Sequence, residues 1–172
     1  MEIVNFFEKM SGRWFSQRTT HALSTQQSKA GKSDLEVDFL SADASEVKAL
    51  CESAAVSISP LCGLKIHQSS TVEGDTNPKS LTTLLVPLSA EKSSENDQLN
   101  GAFVRSAQLG QSPQKGTYNL DDEVLTITTE TEEATSTERL WFINDNLRMR
   151  TGITELSSGL RIASFCSEIR LG

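Results

Sequence analysis

Apolar positions recur at two spacings along the chain, and the spacing decides which element each stretch can form. Ile3, Phe6, Phe7 and Met10 fall three and four apart, which makes one face of a short N-terminal helix, and Gly12 supplies its stop. From Arg13 to Thr25 the chain is rich in aromatic, β-branched and hydroxyl residues and reads as a first strand. Gly31-Lys32-Ser33-Asp34 reads as a turn into a second, half-buried strand, where Leu35, Val37 and Phe39 alternate with acidic partners. Asp43 precedes Glu46 by the spacing of a capping box, ahead of an apolar stripe of Val47, Leu50, Cys51 and Ala54. A second helix of about three turns is predicted there, ending before Pro60, with a stripe suited to packing and not to a cofactor.

The rest of the chain is short and turn-bounded: 64–73, 80–88, 101–109, 117–120 and 124–131 read as strands. Residues 74–79, 89–100 and 111–116 are loops by composition, the Ser/Glu-rich stretch 89–100 being a mobile, solvated excursion. No alternating β-α pattern appears. About ten consecutive strands, one N-terminal helix and one further short helix predict an all-β, antiparallel up-and-down barrel, which closes on itself to remove its edges. Small barrels of this kind hold one ligand. Residues 1–172 are expected to form a single domain.

The C-terminal third, Glu138 to Arg170, carries charges inside its alternation. Turns at 144–146 and 157–159 divide it into three antiparallel strands. The second turn sets Glu155 opposite Arg161, Arg150 opposite Cys166 and Arg148 opposite Glu168. The first sets Phe142 opposite Arg148, Leu140 opposite Arg150 and Glu138 near Gly152. One face then carries Glu138, Leu140, Phe142, Arg148, Arg150, Ser164, Cys166 and Glu168, and the other Trp141, Met149, Ala163 and Phe165. Pattern alone leaves two readings open for the charged face: a salt-bridged exterior, or a cavity wall whose arginine forks receive carboxylates while the glutamates orient them. Arg18 and His21 are three apart, so only a bulge would bring both to one cavity.

Composition narrows the partners. The net charge of −7 and the lack of any basic cluster argue against nucleic acid. No apolar run is long enough to span a membrane, and the N-terminus lacks the pattern of a secretory signal. Cys51, Cys62 and Cys166 form no C-x-x-C pair and suit a reducing compartment, with Cys166 read as a small buried hydrophobe. Phosphate-loop, H-E-x-x-H and G-x-S-x-G motifs are absent, so hydrolase, kinase and metalloenzyme readings lose their support.

Four phrases carry a family resemblance: Gly12-Arg13-Trp14-Phe15-Ser16-Gln17-Arg18-Thr19-Thr20-His21, Glu138-Arg139-Leu140-Trp141-Phe142, Asn146-Leu147-Arg148-Met149-Arg150-Thr151 and Ala163-Ser164-Phe165-Cys166-Ser167-Glu168-Ile169-Arg170. In this order they resemble the signature of the S-type phycobiliprotein chromophore lyases, the CpcS/CpeS-like bilin lyases, over essentially the whole chain. The resemblance implies a barrel of lipocalin or fatty-acid-binding-protein type. It implies an enzyme that binds a free phycobilin, phycocyanobilin or phycoerythrobilin, and attaches it as a thioether to a cysteine of a phycobiliprotein subunit. The pigment is then substrate, and no metal or other cofactor is required. By motif match Arg148 and Arg150 hold propionates, and Glu138 and Glu168 face pyrrole nitrogens or protonate the conjugated system. His21 joins the two glutamates as a catalytic candidate, while Arg18, Trp141 and Ser164 are further pocket candidates. The resemblance also implies a cytoplasmic protein of a cyanobacterium, or a stromal one in an alga, working alone, as a homodimer, or with a related lyase subunit. Two departures stand out: relatives commonly carry tryptophan where this chain has Gln68 and Gly74, and a second histidine where it has Ala22. The rival expectation is a non-catalytic barrel that carries a fatty acid or another amphipathic anion; a further one is a scaffold with a filled core.

Overall fold

A computed structural model describes residues 2–89, 91–92, 99–106 and 112–172. Its elements run α1 (Ile3–Met10), β1 (Gly12–Ala22), β2 (Gln27–Ser41), α2 (Ser45–Ser53), β3 (Cys62–Val72), β4 (Lys79–Pro87), β5 (Glu91–Lys92), β6 (Leu99–Arg105), β7 (Gln114–Asp121), β8 (Val124–Glu130), β9 (Ala134–Asn144), β10 (Leu147–Leu156) and β11 (Arg161–Arg170). Each long strand pairs antiparallel with its neighbours in the chain, β1 meets β11, and β4 meets β6 across the short β5. The result is the ten-stranded closed barrel that the pattern predicts, with β5 paired at its edge to β6.

Closure is uneven around the barrel. Along β1 and β11 the ladder runs from Trp14↔Arg170 to Ala22↔Ile162, whereas β4 and β6 share only Leu85↔Arg105, Val86↔Val104 and Pro87↔Phe103. The α2 helix backs that short seam from outside. Its stripe of Val47, Leu50, Cys51 and Ala54 packs on Leu84, Val86, Leu88 and Val104, the outward residues of the seam strands. Inside, α1 stops one end of the barrel: Ile3, Phe6, Phe7 and Met10 are buried against Trp14, Leu35, Leu64, Phe103, Leu125 and Leu140. Burying Phe6 and Phe7 contributes about 1.5–3 kcal/mol each, which offsets the cost of ordering so short a helix.

Three local expectations are corrected. Gly31 to Asp34 is not a turn but the middle of β2, held extended by ladders on both sides, Gly31 facing Arg18 on β1 and Val72 on β3. The turn lies earlier, at 23–26, with Gln26 at φ +55°. No capping box forms either: α2 starts one residue late, with Ala44 at the cap and no side-chain cap bond. Glu46 is drawn instead to Lys65 on β3, 3.1 Å away. Finally, Gln114 to Gly116 already belong to β7. Of the loop and strand expected over 89–109, Glu91–Lys92 and Leu99–Arg105 are strands, while 90, 93–98 and 107–111 lie outside the described residues.

Candidate functional site

The registers align inward side chains into rows that cross the β1–β11–β10–β9 wall. The middle row runs Arg18, Cys166, Arg150, Leu140; the row nearer α1 runs Ser16, Glu168, Arg148, Phe142; the row farther out runs Thr20, Ser164, Gly152, Glu138. These are the partners expected from the two turns, and the charged face is the inner one. Gly152 matters by its smallness: a Cβ there would stand 2.8 Å from the Ser164 hydroxyl and 3.9 Å from Glu138 Cγ.

Near α1 the wall's aromatic and cationic side chains are engaged with one another and with the end of the helix. Trp14 is completely buried, and its indole N–H donates to the Met10 carbonyl at 3.0 Å. The Arg148 and Arg170 guanidiniums both stack on that indole, 4.1 and 4.2 Å from its ring centre. Arg148 also donates to the Met10 carbonyl at 3.3 Å, and Arg170 donates to the Ser11 and Lys9 carbonyls at 2.6 and 2.9 Å. Two cations thus satisfy the carbonyls at the end of α1, where the helix dipole favours positive charge. Gly12 turns the chain under the Arg170 guanidinium at φ +119°, a conformation and a clearance that suit only glycine.

Glu168, with no exposed surface, joins this layer to the cavity. It accepts from Arg148 Nε at 2.9 Å and from Arg150 Nη2 at 3.4 Å. Burial alone would raise its carboxyl, but Arg150 and Arg148 outweigh burial and hold it below the usual carboxylate range. Burial lowers Arg148 to about 10 even beside Glu168, and Glu168 raises Arg150 despite its burial. Both guanidiniums stay charged at neutral pH. Arg150 keeps an unused donor, because its buried Nε has no partner among the described residues.

Beyond this layer lies a cavity of about 590 Å³. Its floor is apolar, with Met10, Leu35, Val37, Leu85, Leu125 and Leu140; its upper wall is polar, with Gln68, Arg105, Ser106, Gln114, Glu138 and Arg150. The mouth adjoins the seam, where the described β4–β6 ladder stops at Leu85↔Arg105 and Leu81, Thr82 and Thr83 reach the cavity. A side lobe of about 150 Å³ holds Arg18, Ser164 and Cys166 and shares Glu138 and Arg150 with the main space. Glu138 lies 3.9 Å from Arg105, with both side chains partly exposed.

Six of the eight candidates from the sequence therefore converge: Glu138, Glu168, Arg148, Arg150, Arg18 and Ser164. His21 and Trp141 do not. The β1 ladders run unbroken past His21, so without a bulge it stays on the outer face and is exposed, opposite to Arg18 and Thr20. Trp141 pairs with Met149 on the outer face of β9 and β10. Cys166 is buried beside Arg150, which reaches its sulfur at 3.9 Å.

Arg105 was missed, as were the roles of Trp14 and Arg170. Residues 101–105, Gly-Ala-Phe-Val-Arg, show no alternation because α2 covers the outer face of β6, so parity could not assign Arg105 to the inside. Trp14 and Arg170 stand opposite each other in the first and last strands, a pairing visible only once β1 is known to meet β11.

Comparison with known proteins now bears on this geometry. A family model described as "CpeS-like protein" matches residues 2–171. "Chromophore lyase CpcS/CpeS" of Thermosynechococcus vestitus is 39% identical, covering 100% of this chain and 94% of the relative. "Phycocyanobilin lyase subunit CpcS" of a Picosynechococcus species is 30% identical over 96% of this chain and 84% of its own. Among solved structures, the S-type phycobiliprotein lyase CPES from Guillardia theta superposes with a TM-score of 0.83 at 25% identity, covering 100% of this chain and 94% of that one.

Proposed function

This chain belongs to the CpeS-like protein family, and from that premise we propose that it is a chromophore lyase. It binds a free phycobilin in the barrel and attaches it as a thioether to a cysteine of a phycobiliprotein subunit. The observation that carries the reading is the cavity of about 590 Å³, apolar at its floor and cationic on its wall, inside a chain of net charge −7. Such a space suits an elongated, largely apolar ligand that carries carboxylates.

The chemistry needs orientation and charge, with no metal or nucleotide in the step. The partner's thiol sulfur bonds to the exocyclic carbon of the ring A ethylidene, that double bond is consumed, and the thiol proton ends on the adjoining ring carbon. Arg150 holds a propionate through the part of its guanidinium that reaches the cavity, its side chain being 24% exposed. Glu138, which faces the cavity, accepts the pyrrole N–H groups and stabilises the cationic pigment, the better electrophile. Glu168 is spent on Arg148 and Arg150 and keeps Arg150 aimed, and Arg148 serves as a positioning residue beneath it. Arg18 and Ser164 border the side lobe where one end of the pigment fits. Gln68, whose amide lies 2.6 Å from the Ser70 hydroxyl, gives the wall a polar patch. The acceptor subunit meets the cavity mouth, in the cyanobacterial cytoplasm or the plastid stroma, with or without a second lyase subunit.

The test is absorbance on mixing the purified protein with phycocyanobilin or phycoerythrobilin, alongside Arg150→Ala and Glu138→Ala, followed by an apo phycobiliprotein subunit. A shifted, sharpened spectrum that weakens in both variants, then acid-stable pigment on the subunit, is the expected result. If neither pigment shifts and a long-chain fatty acid binds instead, the lyase reading is wrong.

A further inference from the structure

We infer that Arg105 is the second carboxylate anchor of the cavity, and that a ligand carboxylate takes it from Glu138. The inference rests on the bilin reading above and concerns which side chains meet the two propionates of such a pigment.

Two carboxylates in a mostly apolar space need two available cations. Arg148 borders the cavity but offers almost none of its guanidinium to it. Its Nε is committed to Glu168, its Nη1 to the Met10 carbonyl and its face to Trp14, and its side chain is only 3% exposed. Arg150 supplies one anchor, since its guanidinium borders the cavity with 24% of the side chain exposed and its Nη1 makes no hydrogen bond among the described residues. The second comes from β6, four strands away around the barrel, where Arg105 enters the same cavity. Among the described residues its side chain makes no hydrogen bond. Its guanidinium lies 5.4 Å from the Phe103 ring centre and 3.9 Å from Glu138, beyond hydrogen-bond reach.

That loose pair is the informative feature. A partly exposed ion pair at this separation contributes little, whereas a carboxylate seated on a guanidinium fork gains two short charged hydrogen bonds. A propionate therefore displaces Glu138 from Arg105. Once released, the Glu138 carboxylate is free to accept the pyrrole N–H groups of the same ligand. Recognition of the acid and recognition of the nitrogens are thereby coupled, and a pigment lacking acids meets a Glu138 still held by Arg105.

The experiment titrates phycocyanobilin and its dimethyl ester by absorbance into the native protein, Arg105→Gln and Arg105→Met, the last keeping an apolar stem against Phe103. Each protein's diacid-to-diester affinity ratio is the readout, so a general loss of stability cancels. The native protein is expected to prefer the diacid, and either variant to lose roughly tenfold to a hundredfold of that preference while binding the ester much as before. An unchanged ratio, or an equal loss for acid and ester, overturns the anchor while leaving the lyase reading standing. Absence of binding of either pigment to the native protein overturns both.

Discussion

Arg148 and Arg150 stand two residues apart on one face of β10 and share the carboxylate of Glu168, yet they belong to different parts of the molecule. Arg148 lies in the plug layer, among Trp14, Arg170 and the last carbonyls of α1, with its Nε and Nη1 in use and only 3% of its side chain exposed. Arg150 lies at the cavity wall, with 24% of its side chain exposed. The same residue type in the same alternation is thus a fastening in one row and a hand held out in the next. What separates them is the helix: α1 fills the barrel up to the lower row and stops there.

The sharpest test removes the fastening. Arg148→Ala leaves Glu168 buried with half its compensation and is expected to cost about 3–5 kcal/mol, on the order of 10 °C in thermal midpoint. Replacing both partners, Arg148→Met with Glu168→Leu, should recover much of that loss in a urea melt, because the buried pair then needs no desolvation. At the wall the balance shifts. Arg150→Ala should weaken phycocyanobilin binding roughly tenfold to a hundredfold in an absorbance titration and, because it takes the longer of the two bonds from Glu168 but no contact to α1, cost about 1.5–3 kcal/mol, less than Arg148→Ala. If the two alanine variants lose stability alike, the division between layer and wall is mistaken.

Acid offers a gentler probe of the layer. The folded Glu168 carboxyl sits below its unfolded value, so its contribution is complete above the ordinary carboxylate pKa and is lost as pH falls through the depressed one. Urea midpoints should fall below about pH 4 in the native protein. In Glu168→Gln that part of the slope should vanish. The smallest expected effect belongs to the outer face: His21→Ala should change stability by no more than about 0.5 kcal/mol and leave the pigment spectrum as it was.

These contrasts show what could be read without coordinates. Opposed charges such as Glu155 and Arg161, with two short turns, fixed the register of three strands and hence which residues share a face. Alternation could not say which face is inside, nor that α1 would divide the inner face into a filled part and a hollow part. Local turn chemistry misled at Gly31 to Asp34, where two flanking ladders outweigh the preference of glycine, serine and aspartate for turns. The Asp43 cap failed for a similar reason, since Lys65, far away in sequence, claims the Glu46 carboxylate. Arg105 was illegible because α2 made both faces of its strand apolar.

The pairing of β1 with β11 has a consequence for the order of events on the ribosome. Glu168, Ser164 and Cys166, together with the Arg170 that grips the end of α1, all lie in β11, the strand that closes the barrel against β1. Until that strand leaves the exit tunnel, β1 and β10 are both open edges and Arg148 has no carboxylate to meet. A nascent chain without β11 therefore has no closed barrel in which to hold pigment. Loading waits on the emergence of β11, so a chain that stops short of it withdraws no chromophore from the cell.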